Sequence, residues 1–259
     1  MRTLKLTVAY DGTRFVGWQR QADGESIQGL LEQALEPLNG GAVTVNGAGR
    51  TDAGVHALGQ VASVEVDCAH PADTIRRALN AKLPEDIRVL AVADAAPGFH
   101  ARFSARFKTY RYQLRGGGIA SPFEQRFVWH VAEPLDVGAM QSAAAALIGT
   151  HDFAAFQSTG TQVPGSIRTI THSALSPAPL PPETALAPGP LSPCPLIYEV
   201  TGDGFLRHMV RAIVGTLVEV GRGWRDPAGI GSLLAGASRA AAGPTAPPHG
   251  LFLVRVDYD

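Results

Sequence analysis

Residues 43–66 read VTVNGAGRTDAGVHALGQVASVEV, two apolar runs separated by a segment of small residues. The first run, near Val43 to Ala48, and the second, Leu58 to Val66, both predict β-strands. Between them, residues 47–56 hold Arg50 and Asp52 among three glycines and two alanines. Small residues permit tight turns and close approach of a ligand, so this segment is the first candidate for a functional site.

The elements around this segment predict a β-α-β-β-α-β order for the first half of the chain. Residues 3–10 alternate in the manner of a strand, and residues 26–38 then place their apolar side chains on one helical face. Ser26 is a suitable N-cap for that helix and Gly40 a suitable stop. A helix opening at Pro71 and a strand around 87–92 complete the order, which is the split βαβ pattern of ferredoxin-like and RRM-like domains.

The second half repeats this organisation less regularly. It is predicted to contain strands at 105–114, 168–175, 196–201 and 251–258, and helices at 137–148 and 206–220. The sequence therefore predicts an α+β protein with two domains, residues 1–104 carrying the Asp52 segment and residues 105–259. The proline-rich stretch 176–195 is interpreted as an exposed, partly extended loop in a hairpin-like insertion.

Composition narrows the class of protein. The chain has 259 residues, of which 45% are hydrophobic, enough for one large domain or two packed halves. Its two cysteines, Cys68 and Cys194, form no pair or cluster with metal-ligand spacing, so neither a zinc site nor a disulfide framework is expected. The N-terminus offers no hydrophobic signal-peptide core, and the apolar runs are too short to span a bilayer. These features predict a cytoplasmic protein without a metal.

The charge distribution favours a polyanionic partner although the net charge is −1. No acidic residue occurs between Asp94 and Glu124, and a second acid-free stretch, 204–218, holds Arg207 and Arg211. The first window interleaves cations with aromatic residues: Arg102, Arg106, Lys108, Arg111 and Arg115 with Phe99, Phe103, Phe107, Tyr110 and Tyr112. Such a strip suits an RNA whose bases are also stacked. The alternative is a strand with a solvated basic face.

Taken alone, the Arg50-Thr51-Asp52 segment has a plain structural interpretation. Asp52 could accept backbone N–H bonds in a turn and pair with Arg50. The surrounding glycines match neither GxGxxG nor a P-loop, so phosphate cradling of those types is not indicated.

The segment Ala48 to Ala57 resembles the catalytic motif of the TruA family of tRNA pseudouridine synthases, and the similarity continues along the chain. The matching segments, in the order of the family, are Tyr10-Asp11-Gly12-Thr13 with Gly17-Trp18-Gln19-Arg20, Phe99-His100-Ala101-Arg102-Phe103-Ser104-Ala105 leading to Tyr110-Arg111-Tyr112, His151-Asp152-Phe153, residues 205–215 and Gly250-Leu251-Phe252-Leu253-Val254. They cover nearly the whole chain. The resemblance implies a pseudouridine synthase fold, in which two RRM-like halves share a mostly antiparallel sheet with a central active-site cleft.

The resemblance also implies the roles of four residues in isomerising uridine. Asp52 would attack the target nucleotide at the uracil ring or at ribose C1′, which requires an ionised carboxylate. Arg50 is a candidate to favour that charge and to fill the space left by an extruded base. Arg211 would pair with the aspartate and contact the RNA backbone. Tyr110 would pack on the base and take part in proton transfer from C5.

For the substrate, the resemblance implies uridines 38, 39 and 40 of the tRNA anticodon stem-loop, modified by a homodimer without cofactor or metal. Leu251 would wall the uracil pocket. Arg102, Arg106, Arg111 and Arg207 are predicted to bind RNA together with Tyr110.

Two other functions remain open on the sequence alone. An aspartate-nucleophile hydrolase or phosphotransferase would usually need further carboxylates for Mg²⁺, and none occurs between Glu36 and Glu65 except Asp52. An RNA-binding module without catalysis would explain the RRM-like order but not the Asp52 segment.

Overall fold

A computed structural model describes residues 1–158, 165–178 and 195–258. The strands are β1 (Arg2–Tyr10), β2 (Val45–Gly47), β3 (His56–Val66), β4 (Ile87–Asp94), β5 (Phe107–Gly116), β6 (Trp129–Val131), β7 (Gly149–Asp152), β8 (Ile167–Pro177), β9 (Leu196–Gly202) and β10 (Leu251–Asp257). The α-helices are α1 (Ile27–Asn39), α2 (Ala72–Lys82), α3 (Val137–Ala145), α4 (Met209–Gly221) and α5 (Ile230–Leu233). Short 3-10 helices lie at Ala154–Phe156, Pro227–Gly229, Arg239–Ala241 and Pro248–Gly250.

The chain divides into two compact units, residues 1–108 with 252–259, and residues 109–251. The first segment therefore ends four residues after the boundary predicted between 104 and 105. The C-terminal strand also belongs to the first unit, because β10 pairs in parallel with β3, with Phe252 beside His56 and Leu253 beside Ala57. Pairing of strands so far apart in sequence is a tertiary feature that local patterning does not reveal.

The first unit has the predicted β-α-β-β-α-β order. Its strands are arranged β4-β1-β3-β10, with β2 on β3, and all of these pairs except β3–β10 are antiparallel. Alternate residues of β1 are fully buried or nearly so, which places one face of the strand in the core: Leu4, Leu6, Val8 and Tyr10. The predicted caps of α1 are confirmed, since the Ser26 side chain accepts from the Gly29 amide and Gly40 is left-handed at φ 74°.

The second unit arranges its strands β5-β9-β8-β7, with β6 parallel to β5. The pairs β7–β8 and β8–β9 are antiparallel. Among the described helices, α4 is buried over most of its length, with eleven of its thirteen residues buried. Together the two units confirm the predicted α+β class with mostly antiparallel strands, while the central cleft stays a prediction.

Several predicted boundaries differ from the structure. The helix predicted at 206–220 begins only at Met209, because His208 adopts a left-handed conformation with φ 63°. The helix predicted at 137–148 ends at Ala145, shortly before β7 begins at Gly149. Within the predicted loop 176–195, Ser176 and Pro177 instead extend β8, and the Ala178 amide donates to the Pro195 carbonyl at 2.7 Å. Residues 179–194 lie outside the described residues.

The described helices include none that is both long and apolar enough to cross a membrane.

Candidate active site

The Asp52 loop, residues 48–55, connects β2 to β3 at the end of an antiparallel hairpin. At its start the Ala48 amide donates to the Val61 carbonyl at 2.7 Å, which continues the strand pairing. At its end the Val55 amide donates to the Asp52 carbonyl at 3.1 Å, and Gly54 takes φ 76°. A left-handed residue at that turn favours glycine. The loop therefore projects Asp52 from two fixed strand ends.

A buried hydrogen-bond network fixes the residues on both sides of Arg50. The Tyr10 hydroxyl lies 2.8 Å from the Thr51 hydroxyl, and the Gln60 side-chain amide donates to the Gly49 carbonyl at 2.8 Å. The same amide is 3.5 Å from the Tyr10 oxygen. Because Tyr10 belongs to β1 and Gln60 to β3, the loop is tied to two neighbouring strands of the sheet.

The segment after β1 packs its backbone directly against the loop. The Trp18 amide donates to the Thr51 carbonyl at 3.0 Å. A Cβ on Gly12 would lie 2.0 Å from the Val55 carbonyl oxygen, and one on Gly17 would lie 2.6 Å from the Thr51 carbonyl oxygen. Only glycine permits such close backbone contact. This contact gives a structural reason for the glycines in the resembling segments 10–13 and 17–20.

His56 has a structural position at the end of the same loop. Its Nδ1 accepts the Gly12 amide at 3.0 Å, and its ring stacks on Phe252 with centroids 4.7 Å apart. Nδ1 also lies 3.1 Å from an Asp11 carboxylate oxygen, which would pair with a protonated ring. That oxygen accepts from the amide and hydroxyl of Thr13, and Nδ1 cannot donate while it accepts from Gly12. We therefore assign the ring proton to Nε2.

Exposure differs between the two charged residues of the loop. Asp52 is half-buried, whereas Arg50 is exposed. Burial raises the pKa of Tyr10 to about 12, an effect that its hydrogen bonds to Thr51 and Gln60 oppose. The Tyr10 hydroxyl therefore stays protonated at neutral pH and remains able to hold Thr51.

In the second unit, Tyr110 and Arg111 lie next to each other on β5 and have different environments. Tyr110 is 8% exposed and meets Phe205 edge-on, with ring centroids 5.0 Å apart. Arg111 forms an ion pair with Glu199 on β9, with both Nε and Nη2 donating to one carboxylate oxygen at 3.3 and 3.0 Å. Its charge is partly compensated within the protein, which weakens the case for Arg111 as an RNA contact.

Arg211 is held in the first turn of α4 by the segment that precedes β10. Its Nε donates to the Ala246 carbonyl at 2.7 Å, and the Ala246 amide donates to the Arg211 carbonyl at 3.0 Å. A Cβ on Gly215 would lie 1.7 Å from the Pro244 carbonyl oxygen, so helix and segment are in backbone contact. Buried Leu251 ends the same segment.

Tyr112 on β5 also holds this segment. Its hydroxyl donates to the Pro247 carbonyl at 2.8 Å, and a Cβ on Gly250 would lie 2.6 Å from its ring. Burial raises the pKa of Tyr112 strongly, while the Arg211 charge acts in the opposite direction. Burial disfavours the charged form of His249 in the same segment and so lowers its pKa.

The predicted site residues fall into both units. Arg50 and Asp52 share one loop of the first unit, and the exposed Arg102 and Arg106 belong to the same unit, in the segment between β4 and β5. The second unit holds the others: Tyr110, Arg111, Arg207, Arg211 and Leu251. Within it, residues 244–251 connect the carbonyl that Arg211 contacts to Leu251. Exposed Arg207 precedes His208, and its carbonyl accepts the Ser158 amide at 3.1 Å.

Sequence reasoning missed four residues that position the candidate site: Tyr10, Gln60, Tyr112 and Phe205. Tyr10, Tyr112 and Phe205 belong to resembling segments, so their place in those segments was the available signal. Gln60 carries no comparable signal, since a polar residue in a strand is expected at the surface and this one is fully buried. Among the described residues, no three of His, Cys, Asp and Glu are grouped so that they could hold a metal ion.

Comparison with known proteins identifies close relatives over the full length of the chain. A family model described as tRNA pseudouridine synthase matches residues 6–104 and 143–259. A protein named tRNA pseudouridine synthase A from Moorella thermoacetica is 44% identical over 260 residues, covering all of both chains. Proteins of the same name from Halalkalibacterium halodurans and Myxococcus xanthus are each 44% identical, covering 97% and 100% of this chain and 91% and 92% of their own length.

Proposed function

Because the chain belongs to the tRNA pseudouridine synthase family, we propose that it isomerises uridine to pseudouridine in tRNA with Asp52 as its nucleophile. The family resemblance recognised in the sequence is confirmed, and the chain is an enzyme of the isomerase class. A purely RNA-binding module and a hydrolase or phosphotransferase are thereby set aside.

The reaction exchanges one bond for another within a single nucleotide. The bond between uracil N1 and ribose C1′ breaks, the uracil reorients while it stays bound, and a bond forms between C5 and C1′. The hydrogen on C5 leaves as a proton and N1 gains one, so the product has the same composition as the substrate. A nucleophile divides this exchange into easier steps.

Asp52 is proposed as that nucleophile, with attack on either the uracil ring or ribose C1′. The observation that carries the proposal is the rigid mounting of its loop. Gly49 and Thr51 are bonded to Gln60 and Tyr10, and Thr51 also accepts from Trp18. A carboxylate held in one geometry spares the reaction the entropy of positioning it.

Arg50 is proposed to assist extrusion of the target nucleotide. A stacked base cannot reach Asp52 until it is flipped out, at a cost of a few kcal/mol in unstacking. Arg50 is exposed on a loop whose backbone is fixed on both sides, so its side chain can enter the space that the base vacates. Replacement by Lys keeps the charge and removes the planar guanidinium. Unchanged single-turnover rates in Arg50→Lys would exclude this role.

Three residues of the second unit are proposed to contact the substrate. Tyr110 packs on the uracil and takes part in removing the C5 proton, Leu251 walls the uracil, and Arg211 provides a positive charge at the RNA backbone. Support comes from their fixed positions: Tyr110 lies against Phe205, and Arg211 is bonded to the segment that ends at Leu251.

The substrate sites are proposed to be uridines 38, 39 and 40 of the anticodon stem-loop, modified by a cytoplasmic homodimer without a metal. Tolerance of three neighbouring positions suits recognition of RNA shape and backbone. The cations proposed to contact phosphates are Arg102, Arg106 and Arg207, whereas Arg111 would have to give up its ion pair with Glu199 to do so.

Tritium release from tRNA labelled at uracil C5 tests the chemistry directly. The wild type, Asp52→Asn and Asp23→Asn are compared in excess chelator. Asp23 is an exposed carboxylate of the same unit, so its variant controls for the loss of one charge. We expect release by the wild type and by Asp23→Asn and none by Asp52→Asn. Release by Asp52→Asn at the wild-type rate would exclude Asp52 as the nucleophile.

Site-resolved mapping of the product tests the positions. Transcripts that retain a uridine at only one of positions 38, 39 and 40 should each be modified, and a transcript lacking all three should not. Modification confined to the body of the tRNA would exclude the anticodon stem-loop as the target.

A further inference from the structure

We propose that Phe103, presented with Arg102 on a rigid turn, is a stacking platform for one unpaired base of the RNA substrate. The identity of the partner rests on the proposed function. The turn comprises residues 99–104 and is called the Phe103 turn below.

Exposure distinguishes Phe103 from the other four aromatic residues between positions 99 and 112, where cations and aromatic residues are interleaved. Its side chain is 78% exposed, whereas Tyr110 and Tyr112 are 8% and 0% exposed. Phe99 and Phe107 are half-buried. Of the five aromatic residues between positions 99 and 112, Phe103 therefore offers by far the most ring surface to a ligand from solvent.

The Phe103 turn is closed by its own hydrogen bonds. The Ser104 amide donates to the His100 carbonyl at 2.9 Å, and the His100 amide donates to the Ser104 hydroxyl at 3.1 Å. His100 Nδ1 accepts the Arg102 amide at 3.1 Å. The ring of His100 then lies against Phe103, with centroids 4.4 Å apart. These contacts hold the aromatic ring in place while most of its surface stays accessible.

The turn is also anchored to the core of the first unit. Ala101 is fully buried, with its amide donating to the Ser63 hydroxyl at 3.0 Å and its carbonyl accepting from the Tyr258 hydroxyl at 2.8 Å. The Tyr258 ring in turn lies beneath the Lys5 ammonium, 4.4 Å from the ring centroid. An exposed ring on such a fixed base loses little conformational entropy on binding, which favours affinity.

Charge at the turn points to RNA as the occupant. The Arg102 guanidinium lies over the Phe103 ring, 5.6 Å from its centroid, and Arg106 is exposed three residues further on. No carboxylate of the described residues lies within ion-pair distance of either arginine, while Arg111 and Arg115 are paired with Glu199 and Glu124. Uncompensated cations beside an aromatic face combine phosphate attraction with base stacking.

The test measures the affinity of the whole protein for an anticodon stem-loop RNA, with the wild type, Phe103→Leu and Phe103→Trp. Leucine keeps an apolar, though smaller, side chain and removes the aromatic face, whereas tryptophan keeps the face. Stacking of one base accounts for roughly 5- to 140-fold in affinity. We expect Phe103→Leu to raise Kd by an amount in that range and Phe103→Trp to stay within about threefold of the wild type. Phe123→Leu is the matched control, the same change at a ring that is 91% exposed in the second unit.

An abasic scan of the RNA distinguishes stacking from a structural effect. Each unpaired nucleotide is replaced in turn by an abasic residue, and each RNA is titrated with the wild type and Phe103→Leu. One position should weaken binding to the wild type and have no further effect on Phe103→Leu, since both changes remove the same contact. Equal losses from Phe103→Leu with every RNA, or affinity unchanged within twofold, would overturn the proposal.

Pseudouridine formation by the wild type in the same RNA separates this proposal from the proposed function. An active wild type whose affinity does not depend on Phe103 would overturn the platform alone. An inactive wild type with a Phe103-dependent abasic position would overturn the proposed chemistry and support the platform.

Discussion

Replacement of Tyr10 by Phe tests whether the buried network positions the Asp52 loop for catalysis. The change removes one oxygen atom, which lies 2.8 Å from the Thr51 hydroxyl and 3.5 Å from the Gln60 amide nitrogen. Gln60 retains its bond to the Gly49 carbonyl at 2.8 Å, so Thr51 is the group that loses its partner. A buried hydroxyl left unsatisfied costs about 1–3 kcal/mol in unfolding free energy.

The effect on catalysis should exceed the effect on binding. Thr51 is adjacent to Asp52, and a displacement of about 1 Å of a catalytic group can lower a rate by about 100-fold. We expect kcat for tRNA to fall about tenfold or more and KM to change little, because Tyr10 is buried and its hydroxyl is bonded within the protein. Chemical denaturation measures the unfolding free energy, and steady-state tritium release measures kcat and KM.

Tyr198→Phe is a matched control within the second unit. Tyr198 is as buried as Tyr10, and its hydroxyl lies 3.0 Å from the Ser173 hydroxyl. Ser173 also donates to the Ala144 carbonyl at 2.8 Å, so the control should cost about 1 kcal/mol of stability and leave kcat unchanged. A wild-type kcat in Tyr10→Phe, or an equal fall in both variants, would refute the positioning role.

Three further predictions follow from the same structure. Gly12→Ala places a Cβ 2.0 Å from the Val55 carbonyl oxygen, so it should lower the unfolding free energy by about 1–3 kcal/mol and also lower kcat. Gly223 has φ 72° and open space around a Cβ, so Gly223→Ala should lower the unfolding free energy by about 1–2 kcal/mol and leave kcat unchanged. Denaturation measures the first quantity and rate assays the second. Because burial raises the folded-state pKa of Tyr10 to about 12 from 10.0, its contribution to stability should be complete below pH 10 and be lost as pH rises towards 12; denaturation across this range should show a smaller alkaline loss in Tyr10→Phe. Arg102→Gln should lower the slope of log K against log salt by about 0.7–0.9, whereas Arg111→Gln should change it less because Glu199 already compensates that charge; equal changes would mean that the Arg111–Glu199 pair opens on binding.

The sequence by itself determined the element order, the family and the catalytic candidate. The β-α-β-β-α-β order of the first unit follows from local periodicity, and the caps of α1 follow from Ser26 and Gly40. Such features depend on neighbours in the chain and are readable without the fold. The resembling segments, from Tyr10 to Val254, identified the family because their order along the chain is preserved.

Local patterning could not predict the contacts that convert those segments into a site. The left-handed conformation of His208, before which α4 cannot begin, is not predicted by helix propensity. Arg102 and Arg111 look alike in the basic strip, yet one is exposed beside Phe103 and the other is paired with Glu199. Pairing and exposure depend on residues distant in sequence.

The candidate site shows the same division. The sequence named Arg50 and Asp52, since small residues and the resemblance mark their segment. Only the tertiary structure shows that the loop is held by Tyr10 from β1 and Gln60 from β3, and that β10 returns from the far end of the chain to pair with β3. The physical reason is that hydrogen bonds and strand pairing join groups by distance in space, which the order of residues along the chain does not specify.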